Sequence, residues 1–206
     1  MEAVKNYGYA LEYVKEQNYE ICMAAVNWNG DALYYVKEQN YDLCLEAVRN
    51  NGNALRYVKE KTYDLCMEAV KHCGNAIRYV EEQDEDLCLA AVNQNSLALK
   101  YIKNQTYDVC MTSVMKNGLA LEFVKEQTDE LCMTAVKQNG KAMIFVKNQT
   151  HELCLKAIRK NYLALRFIND QTFELCLEAA KYNYSSFNEI HDPNMKNQII
   201  SHLAIK

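Results

Sequence analysis

Cysteine is the residue with the most chemistry to offer in this chain. Eight of its nine cysteines, Cys22, Cys44, Cys66, Cys88, Cys110, Cys132, Cys154 and Cys176, recur every 22 residues without insertion or deletion. Such a ladder could hold metal, form disulfides or simply pack. A structural zinc gathers about four ligands on one ion, whereas each 22-residue stretch supplies one thiol. Packed helices lie about 8–10 Å apart, but a disulfide needs Cα atoms within about 7 Å. The ladder therefore reads as packing by a small, weakly polar side chain. Free thiols in this number also fit a reducing, intracellular setting such as the cytoplasm. Cys73 lies off the ladder beside His72 and reads as a tolerated turn substitution. His72, His151, His191 and His202 share no column. No Ser-His-Asp order, glycine-rich phosphate loop or carboxylate pair stands outside the repeat. The sequence predicts neither an enzyme nor a bound cofactor or metal.

The elements that carry the ladder follow from the other columns, counted from each ladder cysteine as zero. Position −4 is Asn, Thr or Asp in all eight copies, from Asn18 to Thr172, each a good helix N-cap. An acidic column at −2, from Glu20 and Asp42 to Glu174, meets the positive end of that helix. Apolar residues at −1, 0, +3 and +4 form one helical face. Asn at +7 and Gly at +8 are expected to stop the helix, with Gly in the left-handed conformation. A second apolar stripe at +10, +11 and +14 marks a second short helix, which ends near a Gln column at +17. An unbroken right-handed supercoil would also keep such stripes on one face. The recurrent caps and glycines would weaken it, so hairpins are preferred. The expected fold is all-α: an α-solenoid of about nine 22-residue helical hairpins over residues 1–190, with a C-terminal capping helix in 191–206. Met195, Ile199, Ile200 and Leu203 are expected to line the inner face of that helix, after Asp192-Pro193.

Composition narrows the partners. The formal net charge of −4 gives no bulk attraction for nucleic acid or anionic membrane. No 18-residue apolar run is present to span a bilayer, and Glu2 and Lys5 interrupt any signal peptide. A lysine column (Lys15, Lys37, Lys59) beside an acidic one (Glu16, Glu38, Glu60) reads as a solvated surface whose charges cancel. Columns +2, +5, +6, +9 and +12 lie outside the apolar stripes, vary freely, and are where a solenoid would write specificity. Large apolar side chains there include Trp28, Tyr34, Met115 and Ile144, with Tyr7 and Tyr9 in the first copy. Trp28, Tyr34, Tyr9 and Tyr7, with Arg56 and Arg78 in the +12 column, are the candidate partner-binding residues. The expected function is a non-catalytic protein–protein interaction scaffold. The alternative is a structural protein that self-assembles end to end.

The sequence starts at repeat position +1, with Met1-Glu2-Ala3-Val4 matching Leu45-Glu46-Ala47-Val48. A terminal repeat with no polar outer face predicts a homodimer through the N-terminal end, closed by a two-fold axis.

Stretches such as CLEAVRNNGNALRYVKEKTYDL and CMTAVKQNGKAMIFVKNQTHEL resemble a repeat of a "domain of unknown function" family. That family is found in giant DNA viruses of amoebae and in bacteria living with protists. The resemblance covers residues 1 to about 183 and carries no catalytic residues. It implies a viral or intracellular-parasite source and a host protein as the unidentified partner.

Overall fold

The computed structural model describes Val4 and residues 6–204. Among them every regular element is helical, and one pattern recurs. A ten-residue α-helix runs from −3 to +6, as in Tyr41–Asn50, and a six-residue 3-10 helix runs from +8 to +13, as in Gly52–Tyr57. The chain is an α-solenoid whose repeats fall into two compact units, Met1–Thr112 and Ser113–Lys206. Within each unit neighbouring α-helices lie side by side, as do neighbouring 3-10 helices. The α-helices thus form one row and the 3-10 helices another.

The N-terminal signals act as expected. Asn40 Oδ1 accepts from Leu43 N at 2.9 Å, and Asp84 Oδ1 accepts from Leu87 N at 2.8 Å. The two stripes make the core: Leu43, Cys44, Ala47, Val48, Ala54, Leu55 and Val58 of one repeat are all buried.

Two expectations about the hairpin are corrected. The second element is a 3-10 helix, since it has only six residues, from the turn glycine at +8 to +13, before the extended residue at +14. A stretch that short closes its turns with i to i+3 bonds. The glycines, moreover, are not left-handed: among the described residues no glycine has a positive φ. Close approach selects them instead. A Cβ on Gly52 would stand 2.4 Å from the Ala69 carbonyl oxygen of the next repeat, and one on Gly30 would stand 2.2 Å from that of Ala47. The Asn before four of the six glycines has extended backbone and caps the 3-10 helix, as when Asn51 Oδ1 accepts from Asn53 N at 3.0 Å, whereas Tyr7 and Cys73 before Gly8 and Gly74 make no such bond.

The last repeat departs from the pattern. Ser186 takes the place of the Ala at +10, and its buried hydroxyl has no partner. A helix then forms at Pro193–Ala204 and packs against the α-helix Phe173–Tyr182. Ile199 is buried, Met195 and Leu203 are half-buried, and Ile200 is exposed, contrary to its expected inward placement. At the other end, Met1, Glu2 and Ala3 of the proposed dimer contact lie outside the described residues. Behind them Leu11 is buried, whereas Tyr13 is 82% exposed.

Candidate interaction surface

Most of the polar columns are spent on joining repeats. The Gln at +17 is a clamp: Gln39 Nε2 donates to the Tyr57 carbonyl of the next repeat at 2.9 Å. Its Oε1 accepts from Lys59 N at 3.0 Å and from Cys44 Sγ at 3.7 Å. Cys22, Cys44, Cys110 and Cys132 are therefore weak donors as well as packing groups. The lysine column is not a merely solvated surface. Lys37 Nζ donates to the Lys15 carbonyl at 2.8 Å, and Lys59 Nζ to that of Lys37 at 2.8 Å. Column +6 is not free either, because Asn50 Oδ1 accepts from Gly30 N at 2.8 Å and Gln94 Oε1 from Gly74 N at 2.7 Å. Columns +5 and +2 pair across repeats, as Arg49 does with Glu68 and Arg159 with Glu178, both at 2.8 Å. These bonds explain why only part of the variable surface can carry specificity.

Exposed aromatic side chains remain in two places on the first unit: a column at −3 on the α-helices, Tyr19, Tyr41, Tyr63 and Tyr107, and a cluster along the 3-10 row, joined by Trp28 at the end of its α-helix, where the sequence-predicted residues come together. Tyr7 stacks on Trp28 with ring centroids 5.5 Å apart, and Tyr9 meets Trp28 edge-on at 6.4 Å. Tyr9 also meets Tyr35 at 6.2 Å, and Tyr34 touches Tyr35 at 5.0 Å and Tyr57 at 5.2 Å. The strip then turns cationic. The Arg56 guanidinium lies 4.5 Å from the Tyr57 centroid, and Lys100 Nζ lies 4.8 Å from that of Tyr101. Between them the Arg78 guanidinium lies 5.0 Å from both Tyr79 and Tyr101. Each of these contacts has the geometry of a cation–π pair. Tyr7 and Tyr34 are 66% and 63% exposed, while Tyr9 and Trp28 are 39% and 44%. Trp28 is thus more covered than its column implies, since it rests on Tyr7 and against Gly8. The sequence reading missed Tyr35, Tyr57, Tyr79 and Tyr101. They stand in the +13 column, which lies outside both the apolar stripe and the columns read as variable, and which is half-buried.

The second unit presents single exposed apolar groups and, in its last repeat, exposed Tyr184 against Phe187 with ring centroids 4.7 Å apart. Met115 and Ile144 are exposed, and Arg166 pairs with Glu189 at 2.9 Å.

The ladder thiols are free and buried, and Cys73 is half-buried, receiving Asn53 Nδ2 at 3.5 Å. Burial, helped by Asp84 and Glu85, pushes the Cys88 thiol up to about 11. Burial, helped by Asp192, does the same to Cys176. Neutral thiols of this kind are poor nucleophiles and poor metal ligands. Among the described residues no group of three or more His, Cys, Asp and Glu could hold a metal ion. A hollow of about 370 Å³ is lined by Lys59, Lys61, Tyr63, Cys66, Glu81 and Glu82. The same hollow recurs one and two repeats earlier, beside Gln39 and Gln17, so it is a groove of the repeat rather than a singular site. No helix among the described residues is long and apolar enough to cross a membrane.

A family model described as a domain of unknown function, DUF4116, matches residues 1–40, 18–62, 40–83, 62–106 and 129–173. These matches cover more than half of the chain, and those starting at 18, 40 and 62 step by the repeat length. The chain belongs to this family. No curated protein and no solved structure matches it. Each DUF4116 match spans about two repeats, enough to contain a complete Gln clamp and a complete glycine contact.

Proposed function

We propose that this chain is a non-catalytic protein-binding scaffold and that it binds through the aromatic strip on the 3-10 row of its first unit. The observation that carries the reading is a pair of successive runs of touching rings and cations along the same row, one from Tyr7 through Trp28, Tyr9, Tyr35 and Tyr34 to Tyr57 and Arg56, the next from Tyr79 through Arg78 to Tyr101. Tyr, Trp and Arg are the residues that most often anchor protein interfaces. The rings are held by their neighbours and lose little conformational freedom when a partner covers them. Many of the surrounding polar columns are occupied by bonds between repeats, and the strip is favoured over the exposed tyrosines at −3, Tyr19, Tyr41 and Tyr63, because it joins its rings to cations. The many uncrosslinked thiols favour a reducing cytoplasm as the place of action, and the partner is a protein of the host cell. The test is affinity capture from host lysate with the wild type, with Tyr34→Ala plus Arg78→Ala, and with Ile144→Ser as a control outside the strip. Capture that survives in the strip variant overturns the reading.

A further inference from the structure

The strip contains one cation whose chemistry is left open, and comparison of two equivalent positions identifies it. Positions 31 and 53 are both +9, and positions 56 and 78 are both +12. In the earlier pair, Asp31 Oδ2 holds Arg56 Nη2 at 2.9 Å, while Asp31 Oδ1 receives Asn51 Nδ2 at 3.0 Å. In the later pair the carboxylate is replaced by a neutral amide: Arg78 Nη2 donates to Asn53 Oδ1 at 3.2 Å. The donor that follows is replaced too, because Cys73 stands where Asn51 stood. Arg78 Nη1 reaches the Tyr101 hydroxyl at 3.4 Å, and among the described residues no carboxylate pairs with it. Its guanidinium carbon lies 5.0 Å from the centroids of both Tyr79 and Tyr101, so the two rings limit how the group can turn.

Resting on the scaffold reading above, we propose that Arg78 takes a carboxylate from the partner, and that the partner enters as an extended segment whose apolar part covers Tyr7, Trp28 and Tyr34. Asp31 on Arg56 is the chain's own example of this contact, one repeat away. One cation without a carboxylate suits a single side-chain carboxylate of a protein segment better than a nucleic-acid backbone, which would need a run of cations, whereas the neighbouring Arg56 is already neutralised by Asp31. Two repeat steps separate Tyr34 from Arg78, roughly 20 Å at the usual spacing of packed helices, or about six residues of extended chain.

The probe is a fluorescein-labelled peptide in which a proline- and leucine-rich stretch of about six residues precedes two glutamates, set beside the same peptide with two glutamines. Fluorescence anisotropy should show the glutamate peptide binding about tenfold more tightly, the factor one hydrogen bond to a charged group contributes. Asn53→Asp, which gives Arg78 an internal carboxylate, should erase that preference, and Arg78→Gln should do the same should the first variant unfold. Asp31→Asn should strengthen glutamate binding by releasing Arg56. Equal binding of the two peptides, an unchanged preference in Asn53→Asp and Arg78→Gln, or no binding of either overturns the proposal. So does displacement of the glutamate peptide by poly(U), which would make nucleic acid the occupant. Equal binding that is still lost in Trp28→Ala would overturn the carboxylate contact alone and leave the scaffold reading standing.

Discussion

Replacing Lys61 by Gln should make the protein more stable. Lys61 occupies the clamp column, where Gln17, Gln39, Gln83, Gln105, Gln127, Gln149 and Gln171 stand in the other repeats. One repeat earlier, Gln39 ties the Tyr57 carbonyl and the Lys59 amide of the next repeat at 2.9 and 3.0 Å. Among the described residues Lys61 makes neither bond, and an ammonium cannot accept one from the Glu81 amide. Glu81 is exposed, so water serves that amide today, and only the net value of each bond is recovered. At about 0.5–1.5 kcal/mol for each of two bonds, Lys61→Gln should stabilise by about 1–3 kcal/mol. Because repeats hold only their neighbours, the gain should appear in the cooperative unfolding of this part of the array. Urea unfolding followed by circular dichroism reads it as a higher midpoint with an unchanged slope. Lys61→Ala removes the lysine without supplying the clamp and should show no such gain. A Lys61→Gln midpoint at or below wild type, or an equal rise in Lys61→Ala, would refute the clamp as a source of stability.

Other expectations follow from the same contacts. Ser186→Ala restores the column residue and removes a buried hydroxyl that lacks a partner, so it should stabilise by about 1 kcal/mol in thermal or urea unfolding. Gly52→Ala pushes a methyl into the Ala69 carbonyl and should destabilise by about 1–3 kcal/mol. Gly140→Ala should be nearly neutral, since the nearest group there is Asn161 Nδ2 at 3.4 Å. In native protein near neutral pH, alkylation followed by intact-mass spectrometry should label Cys73 first. Cys88 and Cys176 should react only on unfolding, because burial holds their thiols up near 11. Rapid labelling of either would contradict that burial.

The repeat, its caps and its core were legible because each rests on a local rule repeated eight times. An N-cap side chain needs only the amide three residues on, and an apolar stripe needs only the helical period. What the sequence left hidden depends on the neighbouring repeat. Gly52 looks like a left-handed helix stop until the Ala69 carbonyl is seen beside it. Gln39 looks like a helix end until its two bonds across the repeat boundary are traced. The variable columns Asn50 and Arg49 looked free for the same reason, although both are tied to the adjacent repeat. In the candidate surface, Trp28, Tyr34, Tyr7 and Tyr9 stood out as bulky residues in polar columns, and Arg56 and Arg78 as neighbouring cations. The tyrosines at +13 were masked by their own regularity. A residue that recurs beside a buried stripe reads as core, and only the 3-10 geometry turns its ring half outward.

The central claim is that the strip on the first unit is where a protein partner binds, and hydrogen exchange in the presence of the captured partner addresses it most directly. Amide protection measured by mass spectrometry with and without that partner should rise in the peptides containing Tyr7–Tyr9, Trp28–Tyr35 and Arg56–Arg78. Peptides around Ile144 should stay unchanged. Protection confined to the α-helix row, or to the repeats after Thr112, would contradict the assignment of the strip as the binding surface.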